Sequence, residues 1–92
     1  MHLDVRIMAS PLEFSRVGIV VPLHQRSAVE RNRLKRRLRE LVRLELLPSL
    51  RERPPVDLAI RARREAYSAG LDRLRADVVT IRSRVTDSDV VA

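Results

Sequence analysis

The spacing of apolar residues changes period several times along this chain, and this pattern restricts the fold more than any other feature. Apolar residues alternate with polar ones over Leu3–Ala9, Arg16–Val21 and Val56–Ala62, which predicts three half-buried strands. After the second strand and again after the third, they recur every three or four residues, which predicts two amphipathic helices. We therefore expect the order β-β-α-β-α and an α/β (α+β) two-layer sandwich, with one face of a three-stranded sheet covered by helices.

The connection between the first two predicted strands is short and begins with Ser10-Pro11, so we expect these strands to form an antiparallel hairpin. The residues that point away from the helices include Arg6, Arg16 and Arg61. Nothing in the sequence covers this second face of the sheet, so we expect it to be polar and open.

The first predicted helix has clear signals at both ends. Ser27-Ala28-Val29-Glu30 matches a capping box, in which the side chains of the first and fourth residues bond reciprocally to each other's backbone N–H groups. Pro48 predicts that the helix ends near Leu47. Ser68 is the expected cap of the second helix.

Length and composition restrict the class of protein. The 92 residues allow one domain, which we place at residues 1–85, followed by a frayed tail over residues 86–92. Without cysteine the chain has no disulfide, thiolate metal site or cysteine nucleophile. The longest nearly apolar stretch, Val17–Leu23, is too short to span a bilayer. These features favour a cytoplasmic location.

Positive charge is concentrated in one part of the chain. The net charge is +7, and residues 28–53 carry nine basic and four acidic residues. Within Arg31–Arg39 there are six cations and no anion. Such a run destabilises a helix by self-repulsion unless a polyanion binds to it, so it favours a nucleic acid as the partner.

A helical wheel separates this run into an apolar and a cationic arc. Leu34, Leu38, Leu41 and Val42 fall within roughly 100° of one another and are expected to pack on the sheet. The neighbouring cationic arc spans about three turns, some 15 Å. Its members are Asn32, Lys35, Arg36, Arg39 and Arg43. Arg33 and Arg37 fall on the far side, where we expect pairs with Glu30 and Glu40.

The run AVERNRLKRRLRELVR, which lies between the strands RVGIVV and VDLAIRA, resembles the protein subunit of bacterial ribonuclease P. The signature of that family is an Ala-Val-x-Arg-Asn-Arg-x-Lys-Arg-x-x-Arg-Glu helix. Nine positions match at this spacing: Ala28, Val29, Arg31, Asn32, Arg33, Lys35, Arg36, Arg39 and Glu40. The resemblance extends over about residues 16–79, and more loosely back to Leu3.

The resemblance implies a left-handed crossover from the second strand to a parallel third strand, against the usual right-handed rule. It also implies a protein that binds a catalytic RNA, which removes the 5′ leader of precursor tRNA with Mg²⁺ held mainly by that RNA and its substrate. The protein would supply no catalytic or metal-binding residue, and it would need no membrane and no protein partner.

The family signature assigns RNA contacts to residues of the first helix. These are Arg31, Asn32, Arg33, Lys35, Arg36 and Arg39, to which the wheel adds Arg43. We expect Arg6, Arg16 and Arg61 to form the floor of the sheet face that receives the leader.

The sequence departs from the family pattern before the first strand. The usual chain has a helix there, whereas Met1 lies almost directly on the strand, so we expect a domain without that helix.

Two alternatives to the function that the resemblance implies stay open. One is a basic RNA-binding module of ribosomal type, and the other is a degenerate paralogue that no longer binds the leader.

The few aromatic and histidine residues have structural interpretations. His2 and His24 have no partner at metal-binding or catalytic spacing, so we expect both to be surface residues. Phe14 is expected to pack on the edge of the sheet, and Tyr67 to pack between a loop and a helix. No combination of residues typical of an independent enzyme is present.

Overall fold

The computed structural model describes residues 1–87 and confirms the element order β-β-α-β-α. Two short helical turns extend the first helix, and a 3₁₀ turn precedes the last one. The elements are β1 (Leu3–Ala9), β2 (Arg16–Val20), α1 (Ala28–Leu41), a π-helical turn (Val42–Leu46), α2 (Leu47–Leu50), β3 (Val56–Ala62), a 3₁₀ turn (Arg64–Ser68) and α3 (Leu71–Thr86).

The sheet has the strand order β1-β3-β2, so the last strand in the sequence lies at its centre. β3 pairs antiparallel with β1, from Leu3 opposite Ala62 to Ala9 opposite Val56. It pairs parallel with β2, and α1 forms part of the crossover between these two strands. The parallel pairing implied by the family resemblance is therefore confirmed, while the left-handedness of the crossover stays a prediction.

The predicted hairpin between β1 and β2 is wrong, because β3 lies between these strands. Their connection instead passes over the start of β3. The Ser10 N–H donates to the Pro55 carbonyl at 3.0 Å, and the Ser15 hydroxyl accepts from the Val56 N–H at 3.0 Å. A connection of six residues is long enough to cross the two strand spacings, about 10 Å in all, that separate the edge strands.

The core lies between one face of the sheet and the helices. Alternate residues of β3 are buried, as are the apolar stripe of α1 and that of α3. The predicted inward positions are therefore confirmed, with β1 and β2 only half-buried on the same face. The buried stripe of α3 consists of Leu74, Val78, Ile81 and Val85.

The helical segment that begins with α1 continues past Pro48 to Leu50, so the predicted end near Leu47 is wrong. The reason is the π-helical turn, in which the Leu47 N–H donates to the Val42 carbonyl five residues earlier. Pro48 then lies in the first turn of α2, where its missing N–H removes no helical hydrogen bond.

The predicted capping of the second helix by Ser68 is also wrong. Ser68 ends the 3₁₀ turn, and α3 begins three residues later behind Gly70, which provides no side-chain cap. α3 extends through Thr86. The remainder of the predicted tail, residues 88–92, lies outside the described residues.

We expect Leu38→Ala to destabilise the fold by about 2–5 kcal/mol, because it removes a side chain that is only 1% exposed and leaves a cavity between α1 and the sheet. Urea unfolding followed by circular dichroism measures this change. Val29→Ala is the matched control on the same helix, since Val29 is 68% exposed, and it should change the stability by less than about 0.5 kcal/mol. Equal effects of the two substitutions would contradict the described packing.

Candidate nucleic-acid interface

The start of α1 is fixed by the predicted capping box, which the structure confirms. The Ser27 hydroxyl accepts from the Glu30 N–H at 3.1 Å, and the Glu30 carboxylate accepts from the Ser27 N–H at 3.3 Å. These bonds and the adjacent Arg26 ion pair hold the pKa of Glu30 below its ordinary value, with the Ser27 backbone bond the largest cause. The negative charge at this end also complements the helix dipole.

Burial separates an apolar arc of α1 from a solvent-facing one, as predicted, but the solvent-facing arc also includes Arg33 and Arg37, which the wheel placed outside the cationic arc. Leu34, Leu38 and Leu41 are at most 4% exposed. The opposite arc faces solvent and contains Asn32, Arg33, Arg36, Arg37 and Arg39. Lys35 is half-buried at the boundary between the arcs.

Arg31 also lies at this boundary and is half-buried. Its Nε donates to the Val21 carbonyl at 2.7 Å, at the point where the chain leaves β2. Arg31 therefore holds the start of α1 against the sheet, while its two terminal nitrogens form no hydrogen bond with the described part of the chain.

The cations of the solvent arc are not neutralised by this chain. Within residues 1–87, Arg33, Lys35, Arg36, Arg37 and Arg39 form no salt bridge and no side-chain hydrogen bond. The predicted pairing of Arg33 and Arg37 with acids of the same helix is therefore wrong. This outcome leaves the solvent arc of α1 more strongly cationic than the sequence suggested.

The two acids of α1 pair with other arginines. Glu30 pairs with Arg26 at 3.2 Å, four residues earlier, and Glu40 pairs with Arg43 at 2.5 Å, three residues later. The bidentate bond from Arg43 lowers the pKa of Glu40. Arg43, a predicted RNA contact, is thus the one member of that set that has an acidic partner among the described residues.

The outer face of the sheet is exposed, as predicted. β-strand register places Arg6, Ala59 and Gly18 in one row across it, and Arg61 in the next row beside Val20. The small side chains at the centre make a flat floor, and Met8 and Val20 are exposed at 62% and 51%. Within residues 1–87, no aromatic side chain lines the groove over this face.

The three predicted arginines of this face differ in their partners. Arg16 forms a bidentate ion pair with Asp57, at 3.0 and 2.5 Å. Arg6 and Arg61 form no salt bridge within the described residues, although the Arg61 charge contributes to the lowered pKa of Asp4. Free positive charge on the sheet face is thus concentrated along β1 and β3.

Sequence reasoning missed further cations around this face. Arg63 and Arg84 line the groove over it together with Arg6 and Arg61. Arg63 pairs with Asp4 at 2.5 Å, a bond that lowers the pKa of the carboxyl. The position of Arg63, one residue beyond β3, could have indicated that its side chain lies beside the sheet face. No sequence signal places Arg84 of α3 beside the first strand.

The isolated aromatic and histidine residues have the following environments. His2 is half-buried and bonds to Asp77 through its N–H and ring, both at 2.8 Å, so its assignment as a free surface residue is wrong. Phe14 is 59% exposed and does not pack as predicted. Tyr67 is half-buried and packs on the core, as predicted, and its ring contacts His24 edge-on.

No three histidine or acidic side chains of residues 1–87 lie together in a way that could hold a metal ion. None of the helices in that range is long and apolar enough to cross a bilayer.

The fold and the two cationic surfaces define a small basic α+β protein of the class that binds nucleic acid. A family model described as Ribonuclease P matches residues 2–86, so the chain belongs to the ribonuclease P protein family. The family resemblance carried by the α1 signature is thereby confirmed.

Similar proteins agree with this assignment. The chain is 47% identical over 64 residues to the ribonuclease P protein component of Kocuria rhizophila, a match that covers 68% of this chain and 53% of that protein. The chain therefore spans about half the length of this curated relative.

Two solved structures share the fold. The Staphylococcus aureus RNase P protein is 20% identical, with a TM-score of 0.69 over 92% of this chain and 74% of that one. A mutant of that protein, described as defective in mRNA degradation activity, is 22% identical, with the same TM-score over 88% and 69%.

We expect the Asp57 carboxyl to titrate below the ordinary aspartate range, because Arg16 donates hydrogen bonds to the charged form and attracts it. Since the folded-state pKa is lowered, the pair stabilises the fold above the unfolded-state pKa, and this contribution is lost as the pH falls through the folded-state value. Carboxyl ¹³C NMR of the wild type and Arg16→Gln measures the effect.

In Arg16→Gln the pKa of the Asp57 carboxyl should rise towards the ordinary range of aspartate. Asp4 is the internal control, because its lowered pKa depends chiefly on Arg63 and should not change in this variant. An unchanged Asp57 titration would contradict the ion pair.

Proposed function

We propose that this chain acts as the protein subunit of ribonuclease P, in which it binds the catalytic RNA through α1 and the 5′ leader of precursor tRNA on the open sheet face. One observation carries the proposal. The solvent-facing arc of α1 presents four cations, and the half-buried Lys35 adds a fifth at its boundary; none of the five has an acidic partner in residues 1–87. A partner that supplies many negative charges is needed to offset their mutual repulsion.

The chemistry of α1 fits an RNA backbone. The 14 residues of α1 span about 21 Å, a length along which several phosphates of one strand lie in turn. Arg36 and Arg39 present planar guanidinium groups that match phosphate oxygens. Asn32, exposed between them and the helix start, can donate to or accept from a 2′-hydroxyl.

The sheet face fits an extended single strand. Its flat floor of Ala59 and Gly18 leaves room for unpaired nucleotides, and Arg6 and Arg61 offer charge to phosphates on the side of β1 and β3. Arg16 contributes less positive charge because Asp57 neutralises it. Of the three arginines predicted to form the leader-facing floor, we therefore assign contacts with the leader to Arg6 and Arg61.

The protein's part in the reaction is binding, with the RNA supplying the active site. The described residues contain no cluster that fits Mg²⁺, so the ions that activate water are assigned to the RNA and the substrate. Protein cations replace part of the metal-ion atmosphere that the assembled RNAs otherwise need. The complex would operate in the cytoplasm, without a membrane and without another protein.

A second candidate is a degenerate paralogue that binds the catalytic RNA without favouring the leader. Two observations support it, namely the neutralised Arg16 and the lack, within residues 1–87, of an aromatic side chain lining the groove over the sheet face. Single-stranded nucleic acid usually stacks on such side chains. The two candidates differ in whether the protein distinguishes precursor from mature tRNA.

We expect the protein to raise the rate of precursor-tRNA cleavage by the ribonuclease P RNA of the same genome at low Mg²⁺, because its cations offset phosphate repulsion. Cleavage of labelled precursor with and without protein measures this gain. Binding of mature tRNA, which has no leader, is the control and should strengthen less. No gain in cleavage rate would overturn the proposed function. Equal gains in the affinity for precursor and for mature tRNA would favour the paralogue.

We expect Arg39→Ala and Lys35→Ala each to lower the salt dependence of RNA affinity, by about one unit or less in the slope of log K against log [salt]. Each substitution removes one cation that contacts phosphate. Arg73→Ala is the matched control, since Arg73 is exposed on α3. Unchanged slopes for both α1 variants would show that the RNA binds elsewhere.

A further inference from the structure

The connection between β2 and α1, residues 21–27, has a backbone conformation that needs outside support. His24 and Gln25 both have positive φ values, 48° and 65°. Only a few per cent of non-glycine residues adopt this region, because Cβ crowds the carbonyl oxygen, and glutamine is not among the residue types enriched there. Two such residues in succession persist only where the surroundings hold them, and such segments cluster at functional sites.

Three successive carbonyl groups of this connection are held by hydrogen bonds. The Val21 carbonyl accepts from Arg31 Nε at 2.7 Å, and the Pro22 carbonyl accepts from the Tyr67 hydroxyl at 2.6 Å. The Leu23 carbonyl accepts from the Arg26 N–H at 2.8 Å. Tyr67 is the donor most distant in sequence, 45 residues from Pro22.

The ring of Tyr67 supports the other side of the same connection. The Arg26 guanidinium lies over it, 5.3 Å from its centroid, and the His24 imidazole meets its edge at 6.4 Å. Arg26 also bonds to Glu30 at the start of α1. Tyr67 thus contacts His24, one of the two strained residues, and is connected to the first turn of α1 through the Arg26–Glu30 pair.

We infer that Tyr67 is a positioning residue for RNA binding: it orders the backbone of the β2–α1 connection, so that this segment and the Arg26–Glu30 pair continue the RNA-binding surface of α1 towards the open sheet face. The inference rests on the proposed function. The connection leaves β2 beside Val20, which is exposed over that face, and enters α1 at its capping box. Ordering before binding lowers the entropic cost of the complex.

Tyr67→Phe tests this role, because it removes the hydroxyl and keeps the ring that Arg26 and His24 contact. We expect the affinity for the ribonuclease P RNA to fall about three- to tenfold, the effect of one lost hydrogen bond on a positioned contact. The salt slope should stay at its wild-type value, because no cation is removed. Both are measured by filter binding well below the melting temperature.

Thr80→Val is the matched control for the loss of a hydroxyl. Thr80 also donates to a carbonyl, that of Ala76, but on the exposed side of α3. It should lower the melting temperature slightly and leave RNA affinity unchanged. The inference would be overturned if Tyr67→Phe bound the RNA as tightly as the wild type. It would also be overturned if Thr80→Val lost as much affinity as Tyr67→Phe.

Gln25→Gly separates a positioning role from a purely structural one. Glycine adopts positive φ without the Cβ penalty, so this variant should melt at or above the wild-type temperature. It should nevertheless bind the RNA more weakly, because the connection becomes less ordered. Binding equal to the wild type would overturn the inference, whereas a wild-type chain that does not bind the RNA would overturn the proposed function as well.

Discussion

The packing of three α1 leucines against the sheet is the interaction on which the rest of the structure depends. Leu34, Leu38 and Leu41 each contribute about 1.5–3 kcal/mol by leaving water, whereas a pair of like charges on an exposed helix costs only a few tenths. Burial therefore outweighs the repulsion among the arginines. Because the helical period fixes the angle between the two sets, burying the leucines also turns the arginines towards solvent.

The distribution of acids explains why that surface stays cationic. Three acidic side chains each stabilise a local feature. Glu30 caps α1, Asp57 joins β3 to β2 through Arg16, and Glu45 connects the π-helical turn to α3 through Arg82. None of these three lies on the solvent arc of α1, and Glu40, which is exposed on that helix, pairs with Arg43. The member of the ribonuclease P protein family described here thus uses these negative charges to hold its elements together and leaves the cations of the α1 arc and two arginines of the sheet face unpaired within residues 1–87.

Much of the fold could be predicted from the sequence, because burial on one face imposes a period on each element. The bounds of β1 and β3, the capping box and the two arcs of α1 follow from local patterns of this kind. Strand order does not, because a six-residue connection is compatible both with a hairpin and with a crossing over β3. The π-helical turn before Pro48 was equally hidden, since the buried residues Val42, Leu46 and Leu50 recur every four residues, a spacing that an uninterrupted α-helix also gives.

The candidate site was predictable in part for the same reason. The wheel and the family signature located the cations, but side-chain partners depend on rotamers and on distant elements. Arg43 rather than Arg37 pairs with Glu40, and Tyr67 meets Pro22 from 45 residues away. Local spacing carries no information about which side chains pair with one another.

The central position of β3 has a consequence for how the chain is made. Translation produces both edge strands and the whole of α1 before Val56 leaves the ribosome, so neither edge strand has a hydrogen-bonding neighbour until then. Unpaired strands invite contact with other nascent chains. Because β3 pairs with both edge strands, its synthesis gives each of them a neighbour in one step.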